Sequence, residues 1–401
     1  MRKHKSDRWI AILTFALMAI GLIVIYAIGP QRANFINATA APDDKMSTNA
    51  FFINQLRSVI FSIAAFIFAF KFPYEKLRIY AKWIMFAGLV ACAILAVSAL
   101  ASMPLAVCEM GGCRWINLGV TTFQPAELVK LGLVLYLAQL AAKWKKEGKL
   151  ESRDFLQPLV IVSVLSLFFA VIMQKDLGTG VAMVSIILAI LFMSGIKMSY
   201  FVAAVAVVIA GGLFAIFSSP HRMERIMTFS GEGSSDESYH LDNALMAIGT
   251  GGLFGVGIGN SVQATGYLPE SINDSVFAVM GETFGFVGLS AIVFIFYVLL
   301  LRLVKTSTSL DIERSLVVVG VFAWIAAHVF VNIAAMTGLV PLTGITLPLL
   351  SYGGTSMIFV SFSLGLVSQL SCYTGREVRN ESISSGRGLR GTYHSSRRRS
   401  A

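Results

Sequence analysis

Apolar runs of about 20 residues recur along the chain, and short polar stretches separate them. A helix of about 20 apolar residues can cross a hydrocarbon core about 30 Å thick. The pattern therefore predicts an all-α fold, namely a polytopic membrane protein with ten transmembrane helices. The ten predicted segments lie near residues 9–29, 53–72, 82–103, 124–142, 156–174, 178–195, 198–218, 275–302, 314–337 and 347–371.

Lysine and arginine in the short loops predict how these helices are oriented, because such residues collect on the cytoplasmic side. They concentrate at the amino end, in 71–82, in 143–153, in 302–314 and in the tail. The helices then alternate in direction, and both termini are cytoplasmic. Helices seven and eight are joined by a large extracytoplasmic loop, 219–273, whose glycine-rich stretch AIGTGGLFGVGIG is apolar enough to re-enter the membrane.

The pattern divides the chain into a transmembrane domain, 1–372, and a cytoplasmic tail, 373–401. The tail is rich in serine, glycine and arginine, a composition typical of disorder. Its RRR cluster either contacts anionic headgroups, at about 1 kcal/mol per basic residue, or serves only to fix the topology.

Composition supports the membrane assignment. Charged residues make up 13% of the chain, whereas a soluble domain carries about 25%. The net charge of +10 would suit a nucleic-acid partner, but the basic residues lie between and beyond the apolar runs, so we expect no such partner. The four cysteines and five histidines lack metal-ligand spacing. Cys108 and Cys113 share an outward loop, which permits a disulfide without requiring it.

Ionisable residues within apolar segments cost about 2.5–3.5 kcal/mol each on insertion scales, so they usually mark a cavity or a buried pair. Glu127 and Lys130 stand at i and i+3 in the fourth segment, in the order that favours an ion pair. They form either a structural pair or the polar wall of a substrate cavity. Arg114, shortly before this segment, faces outward and could meet an anionic group.

Two further acidic sites lie at the outward ends of helices. Lys175 and Asp176 occupy the turn QKDLGTG, which is either a solvated turn or a cation site near a phosphate. Asp274 lies at the start of the eighth segment, where an aspartate can cap a helix or serve in catalysis. Glu282 follows two turns deeper, where it must be paired or protonated.

The last apolar segment is broken by proline and glycine in TGITLPLLSYGGTSM. Ser351 and Tyr352 offer hydroxyl groups there, either at a kink satisfied by neighbouring helices or as the lining for a lipid headgroup. His328 and Asn332, at i and i+4 in the ninth segment, are expected to bridge helices rather than to bind a ligand. The glycines at 249–259 lack the lysine of a phosphate loop, so no nucleotide site is predicted.

Five blocks together resemble the FtsW/RodA/SpoVE (SEDS) family: RWINLG…FQPAELVKL, QKDLGTG, AIGTGGLFGVGIG, LPESINDSVFAVMGETFGFVG and LPLLSYGGTSM. They occur in the family's order, over roughly residues 9–372. The resemblance implies ten helices with both termini inside, and an inverting peptidoglycan glycosyltransferase. The implied substrate is lipid II, an undecaprenyl-diphosphate disaccharide-pentapeptide, polymerised on the outer face of the cytoplasmic membrane. The implied partners are a class B penicillin-binding transpeptidase and other divisome or elongasome membrane proteins.

The resemblance also implies roles for individual residues. The family's essential aspartate, in its LPE-x-x-x-D block, corresponds to Asp274, which we interpret as the general base. The expected substrate-binding residues are Arg114, Glu127, Lys130, Lys175, Asp176, Glu270, Glu282, Ser351 and Tyr352. The chain departs from the family with INDS in place of HTDF, Thr283 in place of a second glutamate, and Lys175 in place of proline.

The implied reaction joins an acceptor sugar hydroxyl to a donor anomeric carbon and expels a lipid diphosphate. It needs one general base and a positive charge at the diphosphate. Partial desolvation would raise the pKa of Asp274 towards the working pH and improve it as a base. Arg114, Lys130, Lys175 or a divalent cation, Mg or Mn, could neutralise the diphosphate, and no other cofactor is expected. Two alternatives stay open: a lipid II flippase, and a scaffold that recruits the transpeptidase.

Overall fold

The computed structural model describes residues 5–39, 45–109, 112–119, 121–218 and 235–373, together with Met223, Arg225 and Met227. The helices in these ranges are α1 (Arg8–Thr39), α2 (Ala50–Lys71), α3 (Tyr74–Leu100), α4 (Pro125–Lys146), α5 (Arg153–Leu167), α6 (Leu177–Ser194), α7 (Met198–Phe217), α8 (Ser235–Thr250), α9 (Val276–Ser307), α10 (Ile312–Met336) and α11 (Gly354–Leu370). A π-helical turn, Phe168–Met173, extends α5, and a 3₁₀ turn spans Gln263–Thr265.

Within the described ranges, nine helices are long and apolar enough to cross a membrane: α1 to α7, α9 and α10. The helix-rich membrane fold is therefore confirmed. The tenth predicted segment, 347–371, differs, because α11 begins only at Gly354 and has 17 residues. Pro348 disfavours helical backbone at the residue before it, and residues 348–352 form turns and bends instead. The total of ten spans and the cytoplasmic termini stay predictions.

A small antiparallel sheet between α3 and α4 departs from the all-α prediction. Its strands are β1 (Ala106–Glu109), β2 (Gly112–Asn117) and β3 (Thr122–Phe123), in the order β1-β2-β3. Cys108 and Cys113 face each other across the β1–β2 ladder and are joined by a disulfide. The hairpin is too short for a sequence alternation to reveal it.

The predicted outward loop, 219–273, also contains structure of its own. Its second half holds α8, which packs along α9 and buries Ala244 and Ala247 completely. Apart from Met223, Arg225 and Met227, residues 219–234 lie outside the described residues, as does the tail from residue 374. The predictions for those segments are therefore not addressed by the fold.

Helices α4, α6 and α10 form the centre of the bundle and contact one another, whereas α7 is almost wholly exposed. The difference follows the sequence, because α4 and α10 carry polar side chains that lipid would not solvate. Glu127, Lys130, His328 and Asn332 all lie on the buried faces of these two helices.

Helix α9 is broken at Gly285, where the backbone turns left-handed with φ 68°. The glycine-rich loop after α8 enters this break. Its backbone amides at Val256 and Gly257 donate to the carbonyls of Glu282 and Thr283 at 2.9 and 3.1 Å. A side chain at Gly285 would overlap the backbone of Gly255. The glycines thus allow two backbone segments to meet, and the loop packs against α9 next to its break.

Candidate active site

Four helices begin at one end of the bundle: α4, α6, α9 and α11. The residues before them are in contact. Gln124 Nε2 lies 3.4 Å from Asp176 Oδ2, and the Tyr352 amide donates to the Ile272 carbonyl at 2.8 Å. The Thr355 hydroxyl donates to a carbonyl in β3 at 2.9 Å. Helix amino termini carry partial positive charge, so this end is suited to an anionic group.

Asp274 lies at this end and is 9% exposed. It does not cap α9, because the N-cap position is Ser275. The carboxylate Oδ1 lies 3.4 Å from the Ser275 hydroxyl, and the backbone carbonyl accepts from Asn332 Nδ2 at 2.7 Å. Burial and the neighbouring carboxylate of Glu270 raise the pKa of Asp274 to about 7. The desolvation expected from the sequence is therefore present, and Asp274 is poised to exchange a proton near neutral pH.

A tight turn places Asp274 at the head of α9. The amides of Asn273 and Ser275 both donate to the Glu270 carbonyl, at 2.9 and 3.3 Å. The Asn273 side-chain amide also donates to the Glu270 carboxylate. Glu270 is thus held beside Asp274 as a half-buried second carboxylate.

A buried polar chain links α4 to Asp274 through α10. Lys130 Nζ lies 2.9 Å from Glu127 Oε1 and 3.3 Å from His328 Nε2. His328 Nδ1 lies 3.2 Å from the Thr346 carbonyl, and Asn332, one turn on, bonds the Asp274 carbonyl. The Glu127–Lys130 ion pair and the bridging roles of His328 and Asn332 are as the sequence predicts. Within the described residues, Glu127 Oε2 has no hydrogen-bond partner.

Arg114, Lys175 and Asp176 gather at one turn. Asp176 caps α6, accepting from the Thr179 amide at 2.9 Å and the Thr179 hydroxyl at 2.7 Å. Arg114 Nη2 donates to the Lys175 carbonyl at 3.4 Å. The Lys175 side chain is exposed. The turn therefore presents two cations, while its aspartate is engaged as a helix cap.

Glu282 is separated from the other candidate residues. Its carboxylate accepts from the Ser261 hydroxyl at 2.5 Å and from the Val262 and Gln263 amides at 2.9 and 3.2 Å. It is paired, as its depth requires, and it fastens the loop after α8 to α9. These hydrogen bonds within the protein do not support the predicted contact between Glu282 and the substrate.

Ser351 and Tyr352 belong to the turn before α11. The Ser351 hydroxyl accepts from the Leu347 amide at 2.8 Å and is buried. The Tyr352 ring is half-buried and meets Phe51 edge-on, with centroids 5.5 Å apart. Ser351 thus stabilises the turn, and only Tyr352 is accessible enough to line a headgroup site.

Three polar residues around Asp274 were not predicted from the sequence: Ser275, His240 of α8, which contacts Ser275, and Arg225. His240 Nε2 lies 2.7 Å from the Ser275 hydroxyl. No spacing along the chain indicates this pair, because 35 residues separate its members. The motif INDS contains Ser275, but a serine at a helix start is expected to cap the helix.

A cavity of about 490 Å³ lies elsewhere, lined by Glu75, Arg78, Ile79, Lys82, Tyr136 and Gln139. It adjoins the start of α3 and the later half of α4, opposite to the Glu127 end. It takes no part in the candidate site.

Among the described residues, no cluster of three or more histidine, cysteine or acidic side chains could hold a metal. Asp274 and Glu270 offer two carboxylates beside each other. Magnesium commonly takes one or two protein carboxylates and completes its shell with phosphate oxygens and water. These two carboxylates alone do not make up a dedicated metal site among the described residues, and Asp274 is the candidate base, so neither is assigned as a metal ligand. A divalent cation brought with a diphosphate stays a prediction.

The fold and the site define a class: a polytopic membrane protein with buried carboxylates where several helices begin at one end of the bundle. The family described as "Cell cycle protein", FtsW/RodA/SpoVE, matches residues 8–376. The chain belongs to this family.

Named relatives and solved structures agree with this assignment. Stage V sporulation protein E of Bacillus subtilis is 33% identical over 378 residues, covering 93% of this chain and 99% of that protein. A probable peptidoglycan glycosyltransferase FtsW of Escherichia coli O6:H1 is 32% identical, covering 92% and 87%. The rod shape determining protein RodA of Thermus thermophilus has a similar fold, with TM-score 0.63, 23% identity and coverage of 91% and 96%. A chain of a peptidoglycan synthase complex has TM-score 0.70 at 22% identity, covering 91% and 97%.

Proposed function

We propose that this protein is a peptidoglycan glycosyltransferase that polymerises lipid II on the outer face of the cytoplasmic membrane. The relatives named FtsW are themselves described as probable peptidoglycan glycosyltransferases. The observation that carries the proposal is the desolvated Asp274 carboxylate, whose pKa is raised to about 7. A general base is most effective when its pKa lies near the operating pH.

In the proposed reaction, the acceptor hydroxyl oxygen attacks the anomeric carbon of the donor sugar. The bond from that carbon to the lipid diphosphate breaks, and the anomeric configuration inverts. Asp274 takes the hydroxyl proton and later releases it to water. General-base assistance of this kind contributes about 10²–10⁴-fold to a rate.

The leaving diphosphate needs positive charge, and the candidate cations differ in access. Lys130 is 0% exposed and already bonded to Glu127 and His328. Arg114 is half-buried and Lys175 is exposed, beside the start of α6. These two are therefore better placed to meet a diphosphate, and the helix amino termini at this end add partial positive charge.

The disulfide supports an extracytoplasmic position for this end of the bundle. Disulfides persist outside the cytosol and are rare within it. Cys108 and Cys113 flank the turn of the hairpin that carries Arg114.

A transpeptidase partner, of the class B penicillin-binding type, is proposed because a structural neighbour belongs to a complex that coordinates polymerisation and crosslinking.

The test is polymerisation of labelled lipid II by the purified full-length protein in detergent. We expect glycan chains from the wild type, none from Asp274→Ala, and wild-type amounts from Asp242→Asn, which alters an exposed aspartate on α8. Headgroup translocation in sealed vesicles with no polymer would instead identify a flippase. Normal growth of cells carrying only Asp274→Ala would identify a scaffold.

A further inference from the structure

The Ser275 hydroxyl does not make the hydrogen bond that is usual for a serine at the N-cap of a helix. A serine at an N-cap normally accepts from an amide in the first turn of its helix. Ser275 makes no such bond and is 0% exposed. Its Oγ lies 2.7 Å from His240 Nε2, 3.0 Å from the Pro269 carbonyl and 3.4 Å from Asp274 Oδ1.

Hydrogen counting sets the direction of these bonds. A hydroxyl has one proton to donate, and a carbonyl or an ionised carboxylate can only accept. If His240 Nε2 carried no proton, Ser275 would have to donate to it, and both the Pro269 carbonyl and Asp274 would lose their donor. With the proton on Nε2, His240 donates to Ser275, and the single Ser275 proton is then shared between the Pro269 carbonyl at 3.0 Å and Asp274 Oδ1 at 3.4 Å. Only this second arrangement leaves Asp274 with a donor from Ser275.

The imidazole of His240 stays neutral while it does this. Burial and the nearby guanidinium of Arg225 lower the pKa of His240 to about 4. A neutral imidazole carries a single N–H, which is the one used here. His240 is therefore a fixed donor and not the destination of the proton that Asp274 receives.

We infer that His240 and Ser275 are positioning residues for Asp274: His240 orients the Ser275 hydroxyl, which donates to the carboxylate and favours its ionised form. This inference rests on the proposed function of Asp274 as a base. Within the part of the chain that the structure describes, the charged groups that act on Asp274 are Glu270, which opposes ionisation, and Arg225, which favours it. The pair adds a short-range donor from α8 where burial would otherwise keep the acid protonated.

The experiment measures the initial rate of lipid II polymerisation by purified full-length variants across pH 5.5 to 9.5. The acid limb is the part of the profile in which the rate rises with pH. We expect Ser275→Ala and His240→Phe to move this limb to higher pH by about half to one pH unit, and the rate to recover at high pH. His240→Gln keeps a side-chain N–H and should restore the wild-type limb. Thr250→Val, which removes an exposed hydroxyl from α8, should leave it unchanged. Thermal unfolding of each variant verifies that it is folded.

Three results with the variants overturn the inference alone. A rate that falls equally at every pH would mean that the pair is only structural. A downward shift in His240→Phe would mean that His240 accepts from Ser275 and competes with Asp274. The third result is that the wild type polymerises and Asp274→Ala does not, while the acid limb stays unmoved in Ser275→Ala and His240→Phe. That result would show that the pair does not position Asp274, and the proposed function would still stand. Absence of polymer from the wild type would instead overturn the proposed function and the inference with it.

Discussion

The side-chain amide of Asn332 donates to the backbone carbonyl of Asp274 at 2.7 Å, and its second N–H donates to the Ile345 carbonyl, also at 2.7 Å. One residue of α10 therefore fixes both the turn that carries the proposed base and the segment that leads into α11. Because Asn332 is 1% exposed, water cannot replace these bonds. The position of Asp274 is thus determined from the centre of the bundle as well as from its own loop.

Asn332→Leu should lower both stability and activity. The substitution leaves two buried carbonyls without a donor, and each unsatisfied group costs about 1–3 kcal/mol. We expect the midpoint of thermal unfolding to fall by several degrees, and polymerisation to fall even at temperatures where the variant is folded. Asn260→Leu is the matched control, since its amide also donates to a carbonyl but is exposed. Equal stability of the two variants would contradict the assigned role of Asn332.

Lys130→Met should destabilise the protein more than the loss of any surface lysine. It leaves Glu127 buried without a cation, and breaking a buried pair costs about 3–5 kcal/mol. The double variant Glu127→Gln/Lys130→Met removes both charges and should recover much of the loss. Lys145→Met, at the exposed end of α4, serves as the control. Thermal unfolding in detergent measures all three, and a single variant as stable as the double would refute the pairing.

The pH dependence of polymerisation follows from the raised pKa of Asp274. The carboxyl is protonated below about 7 and ionised above it, so the rate should rise with pH through that value and then level off. Glu270→Gln removes the carboxylate that opposes ionisation, and it should move this rise to lower pH. Because Glu270 is also a predicted substrate contact, the quantity to compare is the pH at which the rate rises, and not the maximal rate. A shift of this rise to higher pH would show that Glu270 does not act through its charge.

The sequence predicts those parts of the site that depend on spacing along one helix. Glu127 and Lys130, or His328 and Asn332, lie on one face because a helix repeats every 3.6 residues. Their presence in apolar segments indicates burial, since lipid would not solvate them. Asp274 stands out from its place at the start of an apolar run, whereas its role as a base is implied by the resemblance to the family.

The parts that were missed depend on contacts between distant segments. His240 meets Ser275 only because α8 packs along α9, and the residues that arrange this packing are small and apolar. Glu282 is paired, as its depth predicts, but its partners are the Ser261 hydroxyl and the backbone amides at 262–263, which no side-chain pattern records. The late start of α11 depends on turns around Pro348. The sequence shows the break by proline and glycine, but it does not show on which side of that break the helix begins.

The sidedness of the site can be tested at the hairpin disulfide. If the proposed topology is correct, a membrane-impermeant maleimide added to reduced spheroplasts should label Cys108 and Cys113 from outside. The other two cysteines, Cys92 and Cys372, are buried, so the double variant Cys108→Ser/Cys113→Ser should show almost no labelling. Labelling that requires permeabilised membranes would place the hairpin, and with it the proposed active site, in the cytoplasm.

Gly285→Ala should separate the loop after α8 from α9 and thereby impair the site. The backbone at Gly285, with φ 68° and ψ −169°, costs a residue with a side chain about 1–3 kcal/mol, and the new Cβ would overlap the Gly255 backbone. The loop amides bonded to the carbonyls of Glu282 and Thr283 would lose their partners, so we expect a lower unfolding midpoint and faster proteolysis within 251–263.

Gly211→Ala provides the opposite expectation within the same protein. Gly211 lies inside α7 with open space around its Cβ position, and alanine is favoured over glycine in a helix by about 1 kcal/mol. That variant should be as stable as the wild type or more so. If Gly285→Ala matched it in unfolding midpoint and protease resistance, the loop would not depend on the break in α9, and the anchoring role of Glu282 would lose its structural basis.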